Sequence, residues 1–382
     1  MNVSNSIKYI GVNDHLTDLF EGQYSVPNGI AYNSYVILDD KIAVMDSVDA
    51  RFAGEWLNNL SRTLGERTPD YLVIQHMEPD HSSSILDFAK AYPNVVIVSS
   101  QKAFNMMKNF FDTEFSDKRL VVGEGDSLNL GKHTLSFVTA PMVHWPEVIM
   151  TYDSYDKVLF SADAFGKFGA LDVSEDWLDE ARRYYIGIVG KYGVQVQNVL
   201  KKASGFDIQT ICPLHGPVLC DNLEYYLSKY DTWSKYLNEE SGIVVAYTSI
   251  YGNTRKVAEK LYNMLRERGA NTVIYDLARC DISSAVADAF KYSTTVFATP
   301  TYNGDVFPFM RFFIEHLTER NYQGKKVAFI ENGSWAPMAT KVMKSMLENS
   351  KNLSYAENNI TINSACNNSI EEKLVQLADE LV

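Results

Sequence analysis

From Ile243 onwards, strand-like apolar runs alternate with helix-like stretches, and few folds accommodate that order. Strands are read at 243–247, 272–275, 294–298, 326–330 and 359–362, and helices at 254–268, 309–318, 336–347 and 369–381. In the first helix Val257, Ala258, Leu261, Met264 and Leu265 fall on one buried face, and Gly269 stops it. Five strands interleaved with helices over about 140 residues predict a doubly wound parallel sheet.

The preceding residues have a different character. Strands are read at 34–38, 42–45, 71–75, 95–99, 134–139 and 158–161, mixing alternating with continuous apolar patterns, as a half-buried and a fully buried sheet would. Residues 221–240 are aromatic-rich and helix-like, and Glu240-Ser241-Gly242 reads as a linker. Two domains are therefore expected, 1–240 and 241–382, in line with a length of 382 residues.

Composition excludes some classes. With 46% hydrophobic and 22% charged residues the chain is an ordinary soluble globular protein, and a net charge of −13 argues against nucleic acid or an anionic membrane. No window approaches the roughly 18 apolar residues of a membrane span. The start, Met-Asn-Val-Ser-Asn-Ser-Ile-Lys, lacks the pattern of a secretory leader. Cys212, Cys220, Cys280 and Cys366 form no Cys-x-x-Cys pair, which excludes a cysteine-ligated zinc or rubredoxin-type module and points to a reducing cytoplasm.

Gln75-His-Met-Glu-Pro-Asp-His-Ser-Ser-Ser84 packs His76, Glu78, Asp80 and His81 into six residues directly after a strand-like run. His144, Asp163 and His215 also follow strand-like segments. Two divalent metals sharing one bridging carboxylate would receive four protein donors each from such a set, with open positions for substrate. Imidazole mixed with carboxylate suits iron or manganese. Any one of these residues alone is more simply a cap or surface residue; the order and spacing of the set carry the reading. His15, His133 and His316 fall outside it.

In the C-terminal part, Thr248-Ser-Ile-Tyr-Gly-Asn-Thr254 joins a strand to a helix. Hydroxyls, Gly and Asn at a helix N-terminus make an anion site. Neither a Walker lysine nor Gly-x-Gly-x-x-Gly is present, which disfavours a triphosphate or a dinucleotide. The loop resembles the FMN phosphate loop of flavodoxins: Ser249, Gly252, Asn253 and Thr254 would hold the phosphate, and Tyr251 would belong to the same cofactor site. Alone, it could equally be an ordinary helix cap. Two further loops follow later strands, with Pro300, Thr301, Tyr302, Asn303 and Gly304 in one and Asn332, Gly333, Ser334 and Trp335 in the other. Both offer polar backbone for a flavin edge, and Trp335 could stack on the ring or simply pack on the sheet.

The run His-x-x-x-Asp-His, then a distant His, Asp and His, resembles the metallo-β-lactamase superfamily, whose hydrolases usually carry His-x-His-x-Asp-His. Here Glu78 stands where the second His would be, which moves the preference from zinc towards iron. The full pattern His-x-Glu-x-Asp-His-x(62)-His-x(18)-Asp-x(51)-His is similar to that of the flavodiiron proteins, and the resemblance spans the chain.

That resemblance implies a metallo-β-lactamase-like αββα sandwich followed by a flavodoxin-like five-stranded parallel sheet. It implies one iron on His76, Glu78 and His144, a second on Asp80, His81 and His215, and Asp163 bridging them. It further implies reduction of O2 to water or of NO to N2O. Electrons would come from a separate rubredoxin-type carrier through FMN, in a head-to-tail homodimer or a dimer of dimers. The alternatives are a zinc metallohydrolase fused to a flavodoxin domain and a flavin electron carrier with an inactive metal domain. Tyr24, Trp145, Tyr184 and Tyr185 lie near ligands or in aromatic clusters, where core packing is the simpler reading.

Overall fold

The computed structural model describes residues 3–382; Met1 and Asn2, which open the stretch read above for a leader, lie outside them. The chain divides into two compact units, one of residues 1–185 and 192–231, the other of 186–191 and 232–382.

The first unit contains two facing sheets. One runs in the order Ile7–Tyr9, Tyr35–Ile37, Ala43–Met45, Tyr71–Val73, Val96–Ser99, Arg119–Val121. The other runs Ser127–Asn129, Thr134–Thr139, Ile149–Asp153, Val158–Phe160, Thr210–Cys212. Ile37, Met45, Val73 and Val98 of the first share a core with Phe137, Ile149, Phe160 and Cys212 of the second. Helix Ala53–Leu64 meets helix Ile85–Ala91 through Trp56 stacked on Phe88 at 5.4 Å.

Several strands are shorter than their apolar runs. The strand expected at 71–75 ends at Val73 because the Gln75 N–H is taken by the buried Asp46 carboxylate, at 2.7 Å. A side chain from a neighbouring strand end thus releases the backbone that carries His76.

The second unit is a parallel sheet in the order Thr272–Asp276, Glu240–Tyr247, Tyr292–Tyr302, Lys326–Asn332. Its fifth position is shared by Ser354–Tyr355 and Ile360–Ile362, both parallel to the fourth strand. Asp305–Val306 folds back antiparallel on the third. Ile243, Val245 and Tyr247 pack under helices Asn253–Glu267 and Asn368–Leu381. On the alternate face Phe297 meets Phe313 of helix Pro308–Glu319. Coverage of both faces explains the continuous apolar runs.

Three details differ from expectation. Glu240, Ser241 and Gly242 are not a linker but the first residues of a strand; the Gly242 N–H bonds Ser293 Oγ at 3.3 Å, and a β-carbon there would run into Tyr292. Helix Ile282–Lys291, capped by Asp281 on the Ser283 N–H, has no counterpart among the expected helices. The helix expected at 336–347 starts at Ala339, where Thr301 Oγ1 accepts the Met338 and Ala339 N–H groups. Among the described residues no helix is long and apolar enough to cross a membrane.

Candidate metal centre and flavin loops

All seven ligand-type side chains sit just beyond the carboxyl ends of strands. His76 lies three residues after Val73. Pro79 opens a one-turn helix, Pro79–Ser82, that presents Asp80 and His81, with Glu78 at its N-cap. His144, Asp163 and His215 follow Thr134–Thr139, Val158–Phe160 and Thr210–Cys212.

The chain brings them together as two groups. In the first, Glu78 Oε2 lies 3.2 Å from His76 Nε2 and 3.0 Å from His144 Nε2. Asp163 Oδ2 lies 3.4 and 3.2 Å from the same two nitrogens. In the second, Asp80 Oδ2 lies 3.4 Å from His81 Nε2 and 3.3 Å from His215 Nε2, and those nitrogens are 3.0 Å apart. Asp163 Oδ1 faces this group, 3.3 Å from His81 and 3.9 Å from His215. The two oxygens of one carboxylate therefore address different groups.

These residues fit metal ions better than they fit one another. Bonds of about 2.0–2.2 Å to a common ion place neighbouring donors about 3.0–3.6 Å apart. Both oxygens of Asp80, both of Asp163 and Nδ1 of His81 are buried without a hydrogen-bond partner among the described residues. Leaving buried polar atoms unpaired costs on the order of 1–3 kcal/mol each, so five in one pocket mark a place for something else.

The electrostatics agree. Burial pushes His76 and His144 down, but the facing carboxylates outweigh it. His76 is held well above the usual imidazole range, and His144 rises to about 9. Burial pushes Glu78 and Asp163 up, and the imidazoles more than reverse it. The pocket favours positive charge, and metal binding there would displace protons.

Outer residues hold some donors in place. Glu147 Oε1 accepts from His76 Nδ1 at 2.8 Å and from the Met77 N–H at 2.9 Å. Ala31 O accepts from His215 Nδ1 at 2.7 Å. Asp46, pushed up to about 6 by its burial, also bonds Gln75 Nε2 at 2.8 Å. Tyr184 is fully buried, its hydroxyl has no partner among the described residues, and it feels the charges of Asp163, Glu78 and Asp80. The sequence pattern offers Tyr184 only as one of four aromatics more simply read as core, and it gives no sign of Glu147 or Asp46. A carboxylate three residues after His144 carried a signal only in the knowledge that it would meet His76. Replacing Glu147 by Gln is expected to weaken metal retention about 10–100-fold, since an outer carboxylate orients its imidazole and raises its basicity; competition with a chelator measures it.

A third cluster, His133, Asp153 and Asp156, is of a different kind. His133 Nδ1 bonds Asp153 at 2.9 Å, the Asp156 N–H bonds the same oxygen at 3.1 Å, and none of its buried side-chain atoms lacks a partner. It is an internal ion pair. Burial pushes His133 down, but Asp153 outweighs it and the pKa is raised. Folded protein then holds this proton more tightly than the unfolded chain, whose histidines titrate near about 6.5. The pair contributes fully below that pH and is lost as pH rises through the folded value. His133→Gln should therefore narrow its stability gap from the natural chain as pH rises from 6 to 9, measured by denaturant midpoints of metal-free protein.

In the second unit the three loops of the expected flavin site lie at the carboxyl ends of three adjacent parallel strands, Glu240–Tyr247, Tyr292–Tyr302 and Lys326–Asn332. Helix Asn253–Glu267 starts from Gly252 at φ 87° with no side-chain cap, which leaves its first N–H groups available to an anion. Ser249 Oγ accepts the Gly252 N–H at 3.1 Å, and Thr254 is buried beside Asn332. Pro300, Thr301 and Tyr302 end the third strand, and Asn303 and Gly304 form its turn at positive φ. Gly333 packs on Pro337, and Ser334 Oγ meets Ser364 Oγ at 2.8 Å. Tyr251 and Trp335 are 92% and 83% exposed and Tyr302 43%, so large rings stand uncovered around the loops.

Comparison with known proteins agrees with both units. The ODP family beta lactamase profile matches residues 30–216 and the flavodoxin profile residues 245–352. An anaerobic nitric oxide reductase flavorubredoxin of Vibrio vulnificus is 28% identical over 348 residues, 88% of this chain and 70% of that one. The flavodiiron protein of Giardia intestinalis superposes with a TM-score of 0.92 at 27% identity, over 99% of this chain and 96% of that one. The rubredoxin oxygen:oxidoreductase of Desulfovibrio gigas shares the fold at a TM-score of 0.92 and 24% identity, over 100% and 97%. The chain therefore joins a lactamase-like domain to a flavodoxin domain and is similar along its whole length to proteins named flavorubredoxin and flavodiiron protein.

Proposed function

We propose that the chain is an FMN- and diiron-dependent reductase of O2, NO or both. The observation that carries this reading is the divided Asp163 carboxylate, with Oδ2 among His76, Glu78 and His144 and Oδ1 among Asp80, His81 and His215. In this reading residues 1–240 hold the metals and 241–382 the flavin. Ser249, Gly252, Asn253 and Thr254 take the FMN phosphate, with Tyr251 beside it. The 300–304 and 332–335 loops border the ring, and Trp335 stacks on it.

When bound, FMN and two irons supply electron storage and a place for a diatomic gas. The chain's residues do the rest. Glu147 and Ala31 O orient the His76 and His215 imidazoles, and Asp163 ties the two positions together. The overall stoichiometries are O2 + 4 e− + 4 H+ → 2 H2O and 2 NO + 2 e− + 2 H+ → N2O + H2O. Rubredoxin is the proposed donor and the cytoplasm the proposed location. A head-to-tail homodimer, or a dimer of dimers, is the proposed assembly, pairing the flavin of one copy with the metals of the other. The zinc hydrolase reading is not favoured, because Glu78 hardens the donor set and FMN would have no task.

The test is anaerobic reduction by a rubredoxin system followed by turnover on O2 and on NO, with iron, zinc and FMN measured per chain. Two irons, one FMN and consumption of either gas are expected. Two zincs with hydrolase activity and no gas consumption would refute the reading.

A further inference from the structure

The loop that carries Asp163 follows an unfavourable backbone path. Ala162, Phe165 and Gly169 have φ of 49°, 68° and 104°. A non-glycine residue in the left-handed region costs on the order of 1–2 kcal/mol, so the surroundings must over-determine the path. Part of the restraint is neutral. The Phe165 N–H donates to Tyr230 Oη at 2.5 Å, and Trp177 Nε1 donates to Phe165 O at 3.2 Å.

The rest is a charged pair. Lys167 Nζ donates to Glu175 Oε1 at 2.7 Å, with the two side chains only 5% and 19% exposed. The second Glu175 oxygen accepts from Asn28 Nδ2 at 2.9 Å. Both members press on glycines. A β-carbon on Gly169 would overlap Glu175 Oε1, and one on Gly216 would lie 2.6 Å from Lys167 Cγ. Gly216 follows His215, and Gly166, between Asp163 and Lys167, leaves room for only 3.4 Å from its own missing β-carbon to His215 Cβ. The lysine four residues beyond Asp163 thus lays its stem against the residue next to His215. A buried ion pair adds little net stability compared with an apolar pair of the same shape, so its value lies in placing the groups it joins.

We propose that Lys167 and Glu175 are a positioning pair that sets the Asp163 loop against the His215 loop, so that one carboxylate can serve both metal positions. The proposal rests on the ligand reading above.

Metal-free full-length protein titrated with Co2+ against a competing chelator, with the visible Co2+ spectrum recorded, separates the two. The natural chain should take up two Co2+. Lys167→Met and Glu175→Gln should each lower Co2+ affinity about 10–100-fold, the range seen for outer residues of metal sites. The double variant should be no worse than either single one, because the two residues act as one. Lys167→Arg, which keeps the charge, should restore most of the affinity. If either single variant binds two Co2+ with natural affinity and spectrum, the proposal is overturned, even where its unfolding midpoint has fallen. Should Lys167→Met fail to fold, Glu175→Gln and Glu175→Asp decide by the same criterion. Fewer than two Co2+ on the natural chain, or unchanged uptake by Asp163→Asn, would instead overturn the ligand reading.

Discussion

Asp163→Asn is expected to leave at most one metal per chain and to reduce O2 and NO consumption to the level of metal-free protein. The amide offers one oxygen where the carboxylate offers two, and the two oxygens face separate groups of imidazoles at 3.2–3.4 Å. The loss should exceed the about 10–100-fold typical of outer residues, because in the proposed reading this side chain is itself a ligand of both metals. It also removes the charge that holds His76 and His144 above their ordinary range. FMN content should not change, since the loops proposed to hold the flavin belong to the other unit. Metal analysis beside gas-consumption rates makes the check; two metals retained with full turnover would refute the bridging role.

The second large effect is expected of Glu78→His. Glu78 contributes one of three carboxylates, and its oxygen sits 3.0 Å from His144 and 3.2 Å from His76. An imidazole there removes one negative charge and softens the donor set, which moves the preference from iron towards zinc. Protein produced with both metals available should change from mainly iron to mainly zinc. Gas consumption should fall with the iron content, because zinc has no redox chemistry. A variant that still took up iron in preference to zinc would show that the cavity, rather than Glu78, sets the choice.

The metal site is legible in the sequence where its chemistry is local. His76, Glu78, Asp80 and His81 lie within six residues and needed only the end of a strand to face one pocket. His144, Asp163 and His215 were legible through order and spacing, since each follows an apolar run that pairs into a sheet. The outer residues were not legible in this way. Glu147 acts on His76, 71 residues away, and Asp46 acts on the Gln75 backbone, 29 residues away. Nothing in their neighbours' identities announces those partners. The Glu240-Ser241-Gly242 stretch misled for the same reason: small and polar residues read as a break, while pairing beside Tyr292 makes them a strand.

The chain's own sequence determined the two-part architecture, the parallel sheet and the donor types, because periodicity and side-chain chemistry are properties of residues and their near neighbours. Which oxygen of Asp163 meets which imidazole, which donors are braced and which stay unpaired were decided only by the tertiary structure. Those are distances of a few ångströms between strand ends far apart in sequence, and only the packing of two sheets sets them.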